Sequence, residues 1–189
     1  MDNGFVKLKS EDKIAEITFF HPKSNSLPSK LLEEMKIFFD DISKSDKINT
    51  VILRSEGDKA FCAGASFNEL LEIKNFKEGK EFFMGFARLI NAMRKCGKII
   101  VGRIHGKVVG GGVGLAAACD YSFASDEASL RLSELAIGLG PFVVGPPIER
   151  KVGKDNQTEP FYGGQTKRQK AVGIRIGPRR QGKDIGVST

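Results

Sequence analysis

Tryptophan is missing from this chain of 189 residues, and histidine occurs only twice, at His21 and His105. Neither histidine has a serine or cysteine partner in a recognisable motif, which leaves no basis for a nucleophilic triad. Both read as surface or turn histidines. Cysteine is scarce and odd in number: Cys62, Cys96 and Cys119 stand far apart, with no CxxC and no Cys/His metal spacing. A disulfide framework and a bound metal are therefore not expected, and the thiols read as reduced, in a cytoplasmic protein. No apolar run approaches the ~18 residues of a membrane span. The N-terminal MDNGFVKLKSEDK contains no signal-peptide core. The glycine triplet Gly110–Gly112 does not fit G-x-G-x-x-G, so a dinucleotide site has no support there.

Leucine and methionine are absent from 141 to 189, although leucine is abundant before. The net charge of +7 also belongs to that end. Residues 1–150 carry 21 Lys/Arg against 20 Asp/Glu, whereas residues 151–189 carry nine against three. Segments such as QTKRQK and IRIGPRRQGK follow neither a helical nor a strand period, so 154–189 reads as a basic tail unable to bury much, disordered or frameshifted. GPRRQGKD (177–184) nearly spells a phosphate-binding loop, but Asp184 replaces the hydroxyl that would hold magnesium, and no helix pattern follows. A basic tail offers one alternative of another class, binding of nucleic acid or an acidic partner. Phe161 and Tyr162 form no repeated basic-aromatic pattern with it.

What is present is an alternation of strands and helices. The patterns predict strands at 5–9 and 14–20 around a turn at 11–13, a helix over 28–43 and a strand at 50–54. A small-residue loop at 60–66, a short helix from Phe67 and a longer one at 77–95 come next. Pro28 suits a first helical turn. Leu31, Leu32, Met35, Phe38, Phe39 and Ile42 recur at three and four residues, as do Phe82, Phe86, Leu89, Ile90 and Met93. A strand at 99–104 then runs through the glycine triplet into a helix at 113–119. Strands at 121–124 and around 130–132 and a helix near Val143 complete the order. This order is that of an α/β fold with mostly parallel strands.

Two stretches share one physical property. Phe61–Ala65 and Gly110–Gly112 each follow a buried strand, and each is small enough to aim backbone N–H groups at a common point. Two converging N–H groups stabilise charge developing on a carbonyl oxygen, and losing one such donor costs roughly 2.7–4 kcal/mol of transition-state stabilisation.

The segments SEGDKAFCAGASFNEL, HGKVVGGGVGLAAACDYSFAS and RLSELAIGLGP, with NSLPSKLLEEM before them, resemble the crotonase superfamily, the enoyl-CoA hydratases and isomerases. The resemblance covers about residues 5–153. It implies a spiral of repeated ββα units that binds acyl-CoA thioesters, with no cofactor other than the coenzyme A of the substrate. It also implies a homo-oligomer, trimer or hexamer, built by C-terminal helices of which this chain shows no pattern. By position, the oxyanion-hole N–H groups would be those of Ala65 and Gly111. Substrate and coenzyme A would lie along Ala63, Gly64, Ala65, Ser66, Phe67 and Asn68, with Gly110 and Gly111 opposite. Ser66 stands where the family often has Asp.

Hydratases of this family use two glutamates around a water. The position of the first is Gly114 here, which has no side chain; the second is Glu134. Glu134 would thus be the general acid/base at Cα, in apolar surroundings that favour its acid form. One carboxylate also suits a Δ3,Δ2-enoyl-CoA isomerase. The match of GGGVGLAAACD and LSELAIGL to a hydratase branch puts hydratase first. Glu69 and Glu72 are the remaining candidates for a second carboxylate, and Asp120 reads as an anchor for a helix end or turn.

Overall fold

In the computed structural model, residues 4–134, 138 and 140–152 are described. The proposed tail and the phosphate-loop-like segment lie outside them, as do Leu135, Ile137 and Leu139 beside Glu134. The elements are β1 (Phe5–Glu11), β2 (Ile14–Phe20), α1 (Ser29–Ser43), β3 (Thr50–Ser55), β4 (Ala60–Cys62), α2 (Phe67–Glu72) and α3 (Phe76–Lys95). They continue with β5 (Ile99–Ile104), β6 (Lys107–Val109), α4 (Gly111–Ala118), β7 (Tyr121–Ala124), β8 (Ser129–Arg131) and α5 (Gly145–Val152).

The strands form two sheets, β1-β2-β3-β5-β7 and β4-β6-β8. All pairings between named strands are parallel except the β1–β2 hairpin. After the β1–β2 hairpin and α1, each turn of the chain places one strand in the large sheet, the next in the small sheet, and then helix. Thus β3 and β4 precede α2 and α3, β5 and β6 precede α4, and β7 and β8 precede α5. This is the expected ββα spiral. Two corrections belong here. Residues 60–66 are not wholly loop, because Ala60–Cys62 pairs with β6, itself unforeseen at Lys107–Val109. The glycine-rich helix begins at Gly111 rather than Val113.

The helices form where their sequences dictate. In α1, Leu31, Leu32, Met35, Phe39 and Ile42 are buried, and each such side chain is worth about 1.5–3 kcal/mol relative to exposure. Pro28 supplies no capping side chain. The Glu69 carboxylate does so from across the chain, accepting from the Ser29 N–H at 3.0 Å and its hydroxyl at 2.7 Å. In α3, Asn75 caps the start by accepting from the Glu78 N–H, and the Glu78 carboxylate accepts from the N–H of Lys74, the residue before the cap. Asp120 anchors as expected: its Oδ2 accepts from the Ile100 N–H at 2.8 Å, and its own N–H donates to the Ile100 carbonyl. Among the described residues no helix is long and apolar enough to cross a membrane.

Candidate functional site

The turn after β4 is bent by Gly64, whose φ of +93° is closed to most side chains. It is held from the other side by the loop before α1. The Leu27 N–H donates to the Gly64 carbonyl at 2.8 Å, the Ser66 N–H donates to the Leu27 carbonyl at 3.1 Å, and the Ser26 hydroxyl donates to the Ala65 carbonyl at 3.1 Å. Leu27 and Ala65 thereby form a short parallel bridge. That pattern uses the N–H groups of Leu27 and Ser66 and leaves the Ala65 N–H facing away from Leu27.

Asn25 fixes this loop. It is 3% exposed with φ +57°, its Oδ1 accepts from the His21 N–H at 2.7 Å, and its Nδ2 donates to the Glu56 and Ala60 carbonyls, both at 2.8 Å. His21 sits in the expected turn but is buried rather than superficial, at 2% exposure.

The second segment enters from β6. Gly110, at φ +53°, turns the chain into α4 and donates its N–H to the Arg131 carbonyl at 2.9 Å. Gly111 follows with no room for a side chain: a methyl there would sit 2.5 Å from the Phe86 ring. The two segments touch, since a methyl on Gly64 would lie 3.2 Å from the Val109 carbonyl oxygen and 3.7 Å from the Gly111 nitrogen.

These segments open on a cavity of about 410 Å³. Ala63, Gly64, Ala65, Gly110 and Gly111 form one wall, Phe82, Phe83 and Phe86 of α3 another, and Pro141–Val144 a third. Phe67 and Leu70 of α2 also line it. Glu134 lies in the same cavity, with Oε1 3.3 Å from where a methyl on Gly110 would be. Burial pushes its carboxyl up from the usual range, partly offset by the backbone N–H groups of Glu134 and Ser133. Its Oε2 is buried and has no hydrogen-bond partner among the described residues. A carboxyl in such surroundings is inclined to hold a proton, and its Oε1 is the oxygen beside Gly110.

Of the substrate-binding residues expected from sequence, Ala63, Gly64, Ala65, Phe67, Gly110 and Gly111 line the cavity together with Glu134. Ser66 and Asn68 do not. Ser66 is buried and caps α2 by accepting from the Glu69 N–H, and Asn68 is exposed on that helix. Glu69 and Glu72 line a separate groove with Ile73, Glu78 and Arg88, so neither stands in for a second carboxylate.

Gly114 is buried inside α4 and faces apolar packing. A methyl there would fall 2.6 Å from Val144 Cγ1 and 2.9 Å from Ile90 Cδ1. Val144, Ser133 and Asn25 escaped the sequence reading. Only Asn25 carried a visible signal, an Asn in a turn-rich stretch where positive φ is tolerated. Cys62 and Cys119 are fully buried, and burial drives both thiols up to about 12, so neither is a nucleophile. Among the described residues no cluster of His, Cys, Asp or Glu could hold a metal.

The family model for enoyl-CoA hydratase/isomerase matches residues 9–171. A short-chain-enoyl-CoA hydratase of Clostridium acetobutylicum is 32% identical over 142 residues, which are 75% of this chain and 54% of that protein. A mitochondrial Δ(3,5)-Δ(2,4)-dienoyl-CoA isomerase of Dictyostelium discoideum is 28% identical over 151 residues, covering 73% of this chain and 51% of its own length. The crystal structure of an enoyl-CoA hydratase from Mycobacterium smegmatis superposes with a TM-score of 0.79 at 23% identity, over 85% of this chain and 63% of that one, and so shares the fold. The chain thus spans between half and two-thirds of the length of these relatives. With the ββα spiral and the family model in agreement over most of its length, the chain belongs to the enoyl-CoA hydratase/isomerase family, the crotonase superfamily.

Proposed function

We propose that this chain binds an enoyl-CoA thioester and moves a proton at its Cα, as an acyl-CoA hydratase/isomerase. The observation that carries the reading is the meeting, in one largely apolar cavity, of the Glu134 carboxyl with the Ala65 and Gly111 segments. In this reading the thioester oxygen accepts hydrogen bonds from the Ala65 and Gly111 N–H groups. Negative charge on that oxygen grows as the enolate forms, so donors fixed in advance by the backbone stabilise the transition state more than the substrate. Glu134 gives or takes the Cα proton. Coenzyme A lies along the turn from Ala63 toward Asn68 and enters only as part of the substrate, so no further cofactor is required.

Hydration is the leading reaction, in keeping with the hydratase from Clostridium acetobutylicum. Isomerisation of a 3-enoyl to a 2-enoyl thioester is the second reading, favoured by the apolar filling around Gly114, which leaves one carboxylate to do the work. The reaction would take place in the cytoplasm, in a trimer or hexamer. Crotonyl-CoA hydration assayed beside 3-enoyl-CoA isomerisation on one preparation tests the reading. Loss of turnover in Glu134→Gln with retained thioester binding supports it, and undiminished turnover in that variant refutes it.

A further inference from the structure

Hydration requires a water held against Cβ as well as a proton delivered to Cα. The space beside Gly114 is filled by Val144 and Ile90, so nothing at that position can hold the water. Among the described residues that line the cavity, only two have polar side chains, Glu134 and its neighbour Ser133. A methyl on Gly110 would be 3.3 Å from Ser133 Oγ and 3.3 Å from Glu134 Oε1. The hydroxyl and the carboxyl therefore converge over the same residue, one position before the Gly111 N–H. Ser133 is half-buried, and its hydroxyl makes no hydrogen bond to another described residue.

We propose that Ser133 is a catalytic residue whose hydroxyl accepts a hydrogen bond from the water that adds to Cβ, taking the place of a second carboxylate. The inference rests on the acid–base reading of Glu134 above. A lone pair of the water forms the bond to Cβ, and the π electrons of the double bond pass to the thioester oxygen as an enolate. The enolate then collapses and takes at Cα the proton carried by one Glu134 oxygen, while the other Glu134 oxygen receives the proton lost by the water. One H and one OH have been added across the double bond, and the carboxyl is again an acid. The burial that favours a protonated Glu134 suits the delivery of that proton, and Oε1 lies on the same side of Gly110 as the Ser133 hydroxyl. The apolar remainder of the cavity fits an uncharged acyl group and leaves Ser133 and Glu134 as the side chains that can retain a water.

The two halves of the chemistry can be measured apart. Exchange of the Cα protons of butyryl-CoA in D2O, followed by NMR, needs Glu134 but no water at Cβ, whereas hydration of crotonyl-CoA needs both. Ser133→Ala should slow hydration by about tenfold or more, the effect of losing one transition-state hydrogen bond, while changing Cα exchange by less than about twofold. Ser133→Thr, which keeps the hydroxyl, should recover most of the hydration. Unchanged hydration in Ser133→Ala, or a parallel fall of both reactions, overturns the role of Ser133. Exchange without hydration by the unsubstituted chain overturns it too, while leaving Glu134 as the proton shuttle. Absence of both reactions from the unsubstituted chain removes the acid–base reading itself, and Ser133 with it.

Discussion

Val144 occupies the space that a side chain on Gly114 would need, its Cγ1 lying 2.6 Å from the position of that missing Cβ. The segment leading into α5 thus closes the cavity with a methyl group on the side where a two-glutamate hydratase carries charge. Two effects oppose each other in Gly114→Ala. Helix propensity favours alanine by about 0.8–1.0 kcal/mol, and overpacking a filled core costs about 1–3 kcal/mol. With two contacts under 3.0 Å, the second effect should win. Chemical denaturation should show Gly114→Ala less stable than the unsubstituted chain, and Gly114→Glu less stable still. Val144→Gly added to Gly114→Glu should recover part of the loss.

Glu134 links stability to pH. Its carboxyl is raised by burial in the folded state, so the folded chain prefers the acid form. The stability this contributes is complete below the unfolded-state value near 4.5 and is lost as pH rises through the folded-state value. Gln cannot ionise. Measured against pH, the stability of Glu134→Gln relative to the unsubstituted chain should therefore improve on going up from pH 4.5 and then level off. A difference that stays flat over that range would contradict the burial of this carboxyl.

Asn25 makes three hydrogen bonds to backbone groups of residues 21, 56 and 60, those to 21 and 60 buried and that to 56 partly so. Asn25→Ala leaves those groups without their partner at roughly 1–3 kcal/mol for each that water cannot reach, and it puts alanine at a positive φ. A loss of at least 2 kcal/mol is expected in urea unfolding, on the order of the cost of one or two such groups. Because the same loop holds the Gly64–Ser66 turn, the variants that still fold should also bind acetoacetyl-CoA with a weaker enolate absorption band.

The three thiols offer a readout of opening. Cys62, Cys96 and Cys119 are all buried, and burial raises all three. A thiol-specific alkylating reagent at neutral pH should modify none of them rapidly in the folded chain and all three in denaturant, with rates that follow unfolding rather than reagent strength. Fast labelling of Cys62 in the native chain would mean that β4 and α4 separate readily.

The long elements could be read from their periodicity. The helices α1 and α3 bury almost every residue whose three- and four-residue spacing marked it, because an amphipathic face must pack on something. The small sheet was read only in part: the alternation around Arg131 marked β8, whereas β4 and β6, of three residues each, showed no period of their own. For the site, the glycine segments were legible because backbone chemistry limits which residues can stand there, and Glu134 was marked by the family resemblance alone. Val144 was not, since its role depends on a meeting across some thirty positions. Ser66 and Asn68 stay outside the cavity because the turn into α2 directs one inward as a cap and the other to solvent.

The bridge between Leu27 and Ala65 is made entirely of main-chain atoms. The Leu27 N–H that donates to the Gly64 carbonyl polarises the same peptide unit that carries the Ala65 N–H, and hydrogen bonds in series strengthen one another. Because no side chain takes part, substitutions at 27, 64 or 65 that keep the chain path leave that polarity intact, whereas proline at 27 removes it. The charge pattern at this point is therefore a property of the route of the backbone rather than of the side chains along it.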